Sequence, residues 1–267
     1  MSNPPERDRR SVTTLTVLRT ERITPHMIRV IAGGTGLADF VPNEWTDAYV
    51  KVLFPLPGVA YPEPLDMQAI RRDFPRSEWP VVRTYTVRYF DAEAQELAID
   101  FVHHGDVGLA GPWAAAVQPG DSFSLLGPGG SYAPSAAFGW HLLIGDEAAL
   151  PAIGAALERL PAGARARVVV EVAGAEEEQK FDSPGVVEVT WVHRGGDGSL
   201  VDVVRGMEFS GEDVQAFVHG EAAMVKELRA VMAERGVTKE RLSISGYWRQ
   251  GLSEDGFREV KAAESGG

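Results

Sequence analysis

A change of rhythm near Ser131–Ala136 divides this chain into two halves with different periodicities. Before it, the runs SVTTLTVLRT, MIRVIAG, AYVKVLFP, VRTYTVRYF and LAIDFVHH are short, rich in β-branched and aromatic residues, and separated by Pro, Gly and acidic turns. Such side chains suit a pleated surface, and several short strands at this spacing predict a barrel or sandwich. After it, WHLLIGDEAALPAIGAALERLP joins an apolar strand, a turn and a helix with Leu150, Ile153, Leu157 and Leu160 at helical spacing. RARVVVEVA and GVVEVTWVHR continue as strands, and VQAFVHGEAAMVKELRAVMAERGV followed by RLSISGYW repeats the strand, helix, strand order. That alternation predicts a mainly parallel sheet with crossover helices. The expected fold class is a β-barrel plus α/β, with an antiparallel barrel over residues 1–133 and an α/β domain over residues 134–267. Short helices are expected around Leu65–Arg72, in a Pro-rich interruption, and around Trp113–Val117. The terminal KAAESGG has little to bury and is expected to be mobile.

The chain's 267 residues, 44% hydrophobic and 24% charged, are those of a globular protein able to bury a substantial core. With no cysteine there is no disulfide, thiol nucleophile, thiolate zinc site or cysteine-bound iron–sulfur centre. A net charge of −12 argues against nucleic-acid partners, although a few arginines in one cleft still bind a small anion. The start MSNPPERDRRSV has no apolar signal core, and no later apolar run approaches membrane-spanning length. A cytoplasmic monomer without membrane insertion is expected.

Chemistry concentrates at joints between elements. In VVRTYTVRYF, Arg83 and Arg88 flank Tyr85 and Thr86, which suits either a solvated sheet face or an anionic, aromatic ligand. Two-residue spacing puts Arg83 and Tyr85 on one strand face, so Thr86 joins them only through a bend, a bulge or a backbone-edge contact. Gly105, Gly108 and Gly111 in HHGDVGLAGPWA fit a structural turn and a phosphate-binding turn equally well. Gly145, Asp146, Glu147 and Ala148, and later Gly220, Glu221 and Ala222, lie between a strand and a helix, where α/β sheets bind ligands and small residues leave room. Neither turn is GxGxxG, and helix capping by Asp146 and Glu221 stays open beside ligand contact. His103 and His104 alternate across a strand and His141, His193 and His219 are isolated, with no HExxH. His141 and His219 suit the core, and His104 beside Gly105 suits a ligand. Ser245 lacks the GxSxG setting of a nucleophile. Elimination favours chemistry carried by an organic cofactor, without naming it.

In order, YVKVLFP, RTYTVR, DFVHHGDVGLAGPWA, LLIGDEAALPAI, VTWVHR, GEAAMVKELR and SGYWRQG resemble the siderophore-interacting protein family, a branch of the flavin-dependent, ferredoxin-reductase-like enzymes. The resemblance covers nearly the whole chain. It implies a flavin-binding barrel, a nicotinamide-binding α/β domain, FAD as cofactor, NADPH or NADH as donor, and a ferric siderophore as the substrate from which Fe(II) is released. The family's RxYT core falls on Arg83, Tyr85 and Thr86, which implies a cofactor surface together with Val87, Asp100 and Val102. The HG turn implies further contacts at His104, Gly105, Gly108, Leu109, Ala110, Gly111 and Trp113. Gly111 and Pro112 stand where the family usually carries a small hydroxyl residue, and Pro112 has no N–H to offer. Asp146, Glu147, Ala149, Glu221 and Ala222 resemble the nicotinamide side, with Met224 expected in helix packing and Lys226 at the helix surface. Lys51, Arg194 and Arg249 resemble a basic rim for an anionic siderophore. Other readings stay open: a general flavin reductase, a reductase fed by a separate ferredoxin, a noncatalytic ferric-siderophore binder, or a noncatalytic scaffold.

Overall fold

The computed structural model of the protein describes residues 12–196, 198–257 and 260, so the N-terminal stretch and KAAESGG lie outside the described residues. Six strands, β1 (Thr13–Thr24), β2 (Met27–Gly33), β3 (Tyr49–Phe54), β4 (Val81–Asp91), β5 (Glu96–Val102) and β6 (Ser122–Gly129), close into an antiparallel barrel in the order β1-β2-β5-β4-β3-β6. Alternation drives the closure: Leu15 and Val17 on β1 and Val50 and Val52 on β3 point into one core with Ile99 and Phe101 of β5. The strand β6 is absent from the runs that read as strands. Its sequence SFSLLGPG ends in turn-like residues, yet Ser124 pairs with both Thr14 and Leu53, and Leu125 with Thr13 and Val52. Its identity as a strand depends on these two distant partners.

The short helices α1 (Met67–Asp73) and α2 (Ala110–Ala116) lie where they were expected. Asp66 caps α1 by accepting from the Gln68 and Ala69 amides, and Met67 and Ile70 then cover Leu53 and Val82 on the barrel's outer face.

Beyond residue 139 the chain runs through β7 (Trp140–Asp146), α3 (Leu150–Glu158), β8 (Arg165–Val172), β9 (Val186–His193), α4 (Leu200–Gly206), β10 (Val214–Glu221), α5 (Ala222–Glu234) and β11 (Leu242–Trp248). The five strands form a parallel sheet in the order β11-β10-β7-β8-β9. Both faces are covered, which is why β7 and β8 read as unbroken apolar runs. Leu143, Val168 and Val170 pack with α3 on one face, whereas Leu142, Ile144 and Val169 pack with α4 and α5 on the other. Burying a side chain such as Leu157 is worth about 1.5–3 kcal/mol.

The barrel and the sheet share an apolar interface, since Met27, Ile23 and Val102 join the cluster built around α3. Polar ties flank it. The Arg88 guanidinium donates to both Glu158 carboxylate oxygens, at 2.9 and 2.5 Å, and passes so close to Gly154 that a Cβ there would lie 3.2 Å from it. Buried Glu177 accepts from the Thr24 hydroxyl and from the His26 backbone amide.

Candidate functional site: an open strand edge and a sheet crevice

The strand β4 is paired on both sides only in part. β3 pairs with residues 81–86, but β5 engages β4 only from Val87 to Asp91, so the first half of the strand has an edge outside any ladder. On this edge the Thr84 amide donates to Glu254 at 3.2 Å and the Thr84 hydroxyl donates at 2.9 Å. Arg83 donates to Asp255 at 3.0 Å and to the Val82 carbonyl at 2.8 Å. Tyr85 turns toward the barrel core and packs on Phe101 with ring centroids 4.3 Å apart; burial pushes its hydroxyl pKa up. Thr86 is buried and Val87 belongs to the core. A bulge does occur in β4, at Arg88 between Val87 and Tyr89, so it aims Arg88 at α3 and leaves Thr86 on the face opposite Tyr85.

The glycine turn after β5 divides into an open and a packed part. Gly105 and Gly108 have φ of 61° and 86°, and a Cβ at either would meet nothing within 4 Å. Beside them Val107 is 77% and Leu109 39% exposed, an apolar surface. Gly111 has the opposite reason to be small, since a Cβ there would come within 2.9 Å of the Val102 carbonyl. Ala110 and Trp113 face the barrel core, with the indole against Phe54, Phe101 and Phe123. Asp100 is held by Arg29 through two hydrogen bonds of 2.6 and 2.8 Å. His104 stands 6.0 Å from His26 between ring centroids; burial lowers its pKa, with Glu147 of the second domain opposing that shift.

In the sheet, β7 has β8 on one side and β10 on the other, so the chain reverses its direction of winding between β7 and β10. The crevice at the C-terminal ends of such strands is where α/β sheets take ligands. The two strand-to-helix turns meet there. Asp146, 1% exposed, accepts from Ala148 N–H at 2.9 Å, Glu221 N–H at 2.8 Å and the Trp248 indole N–H at 2.8 Å. Burial outweighs these donors and pushes its pKa up to about 6. Glu221 caps α5 by accepting from Ala223 and Met224, whereas α3 has no side-chain cap and Asp146 reaches across the crevice instead.

The small residues in these turns leave less room than expected. A Cβ on Gly145 would lie 2.5 Å from the Ala149 Cβ and 2.7 Å from the His219 carbonyl, and one on Gly220 would lie 2.7 Å from the Asp146 carboxylate. Ala149 is fully buried and Ala222 packs beside Gly246. His141 and His219 are buried, the latter 2.9 Å from the Ser243 hydroxyl.

Of the expected basic rim, Lys51 is exposed on β3 opposite Thr84, and Arg249 is exposed just past β11. Arg194 is engaged by Glu147 and Glu171; burial works against its charge, but the two carboxylates outweigh that and raise its pKa. Sequence reasoning did not single out Trp248, Glu254 or Asp255. A tryptophan closing the strand RLSISGYW next to Arg249 was the available sign for the first; the two acids carry no local signal.

An edge with an arginine and unladdered amides, together with an open glycine turn flanked by exposed apolar side chains, has the groups to hold an anionic flavin dinucleotide. Residues 16–132 match the siderophore-interacting FAD-binding domain, and residues 138–251 match the siderophore-interacting protein domain. The ferric vibriobactin reductase of Vibrio cholerae is 30% identical, over 92% of this chain and 93% of the relative. The NADPH-dependent ferric-chelate reductase of Escherichia coli is 30% identical, over 88% of this chain and 91% of the relative. The crystal structure of the siderophore-interacting protein SipS from Aeromonas hydrophila has a TM-score of 0.81 and 29% identity, covering 97% of this chain and 100% of SipS. Its sequence, its barrel and its parallel sheet make this chain a member of the siderophore-interacting protein family, within the ferredoxin-reductase-like fold.

Proposed function

We propose that the protein is an FAD-dependent ferric-siderophore reductase that takes electrons from NADPH or NADH and releases iron as Fe(II). The observation that carries this reading is the open edge of β4 with Arg83 and Thr84 on it, facing chain that leads from the sheet crevice. Bound FAD would supply the conversion of a two-electron hydride into single electrons for the ferric substrate. Arg83 offers a planar cation to the cofactor's diphosphate, and the Thr84 amide and hydroxyl offer donors to its polar groups once the Glu254 and Asp255 carboxylates move aside. Gly105 and Gly108 let the backbone approach, and Val107 and Leu109 shield the site from water. The β7 and β10 turns form the donor side, with Trp248 at its edge. Lys51 and Arg249 draw an anionic ferric complex toward the opening. Iron leaves because hard oxygen ligands hold the less charged Fe(II) more weakly.

The test is anaerobic. Protein loaded with FAD and reduced by NADPH or NADH is mixed in a stopped flow with ferric catecholate, hydroxamate and carboxylate complexes while a trap reports Fe(II). Reoxidation of the flavin with matching Fe(II) capture is expected. Protein that binds no FAD, or reoxidation without Fe(II), would overturn the reading. Reduced ferredoxin as a third donor decides whether the electrons come through a protein partner.

A further inference from the structure

We propose that Asp146 is a positioning residue: it pins the indole of Trp248 at the mouth of the β7–β10 crevice, so that the ring offers a flat face to the ring of a nicotinamide donor. The inference rests on the reading of this crevice as the donor side of the site.

Three features of the geometry point to it. The carboxylate is buried and takes all its hydrogen bonds from one edge of the sheet: Ala148 N–H from the turn after β7, Glu221 N–H from the end of β10, and Trp248 Nε1–H from the end of β11. It therefore ties three strand ends together across the point where the sheet reverses winding. Trp248, in contrast, is a large aromatic residue left 38% exposed. A tryptophan hydrogen-bonded at its polar end and more than a third exposed is pre-oriented for a stacking contact. Finally, Gly220 at φ 145° removes the Cβ that would collide with the carboxylate, so the backbone is shaped around this contact.

The groups around Asp146 make the pin sensitive to protonation. Its hydrogen-bond partners are N–H donors. Glu147 on the following turn and Tyr247 on β11 interact with its charge without neutralising it, and Glu221 at the end of β10 is occupied with capping α5 and with the Gln250 amide. A proton added to Asp146 faces donors, so one hydrogen bond must weaken. Two of the three donors are backbone amides at fixed strand and turn positions. The indole is the one that can swing away. Above the pKa of about 6 the ring is held; below it, the ring is released.

The first arm of the test needs no donor. In FAD-loaded protein the indole N–H resonance of Trp248, assigned by its loss in Trp248→Phe, is followed from pH 5 to pH 8. A downfield proton that moves upfield with a midpoint near 6 supports the pin, and Asp146→Asn should leave a resonance that no longer titrates. A Trp248 resonance that is flat in the parent, or titrates equally in Asp146→Asn, overturns it.

The second arm measures NADP+ and NAD+ binding by calorimetry in the same proteins. Trp248→Phe is expected to weaken donor binding about tenfold, the order of one aromatic contact. Asp146→Asn should weaken it about threefold to tenfold at pH 7.5 and remove the loss of affinity that the parent shows below pH 6. Equal affinity in all three proteins overturns the proposal while leaving the donor reading intact. A parent that binds FAD but neither nucleotide overturns the donor reading and with it the role of the ring, whatever the first arm reports. Near-ultraviolet circular dichroism confirms that each variant is folded.

Discussion

The open edge of β4 and the C-terminal edge of the sheet carry opposite charge arrangements. On β4 a cation, Arg83, is met by the Asp255 carboxylate, which is 57% exposed and so can exchange for another anion at little cost. At the sheet edge a carboxylate, Asp146, is buried with amide and indole donors and, among the described residues, no cation, so it is fixed in place but open to protonation. The first arrangement suits a ligand that must be let in. The second suits a part that must not move. On the proposed reading, the first admits the cofactor and the second holds the indole that meets the donor.

The largest test of the contrast removes the cation. Arg83→Ala should weaken FAD binding by about 100-fold, roughly 3 kcal/mol, as expected when a charge-assisted contact to a phosphate is lost. Flavin retention through gel filtration and a fluorescence titration of the apoprotein read this, and unchanged affinity would place the diphosphate elsewhere.

Titrating the buried anion comes next. The pKa of Asp146 rises from 3.8 in the unfolded chain to about 6 in the folded one, so folding takes up a proton between these values. This residue's favourable contribution is complete below about pH 4 and is lost as pH rises through 6. Asp146→Asn should therefore gain stability relative to the parent across that window, by on the order of 2–3 kcal/mol. Urea unfolding at pH 4.5 and pH 7.5 measures it, and a difference that does not change with pH would remove the charge from the account.

Removing the exchangeable partner should act in the other direction and more weakly. Glu254→Gln with Asp255→Asn frees Arg83 and the Thr84 edge, and FAD affinity should rise severalfold, about 1 kcal/mol. Lower affinity would mean that these carboxylates support the bound cofactor. The smallest effect concerns Lys51, exposed on β3 opposite Thr84. Lys51→Ala should slow encounter with an anionic ferric complex about twofold to threefold at low salt and not at all in 0.5 M salt.

The fold was largely legible because it is written locally. Alternating Leu15 and Val17, or the helical spacing of Leu150, Ile153 and Leu157, can be read within one segment. β6 was the exception, because Gly127, Pro128 and Gly129 read as a turn and only pairing with β1 and β3 makes the segment a strand. For the candidate site, the ordered motifs pointed to Arg83, the glycine turn and the two sheet turns. They did not reveal what each side chain holds. Arg83 meets Asp255 across 172 residues of chain and Trp248 meets Asp146 across 102, and no periodicity links positions so far apart. The reading of Gly145 and Gly220 as space for a ligand met a similar limit, since a glycine signals close approach without saying what approaches.

The sequence by itself determined the two architectures, their order along the chain, the absence of thiol chemistry and the strand that carries arginine, tyrosine and threonine together. These follow from periodicity and composition, which act over a few residues. Only the tertiary structure decided that Arg88 ties the barrel to α3, that Arg194 is neutralised by Glu147 and Glu171, and that Asp146 keeps a buried charge at the crevice. Those outcomes depend on which distant groups share a desolvated space, and folding alone brings them together.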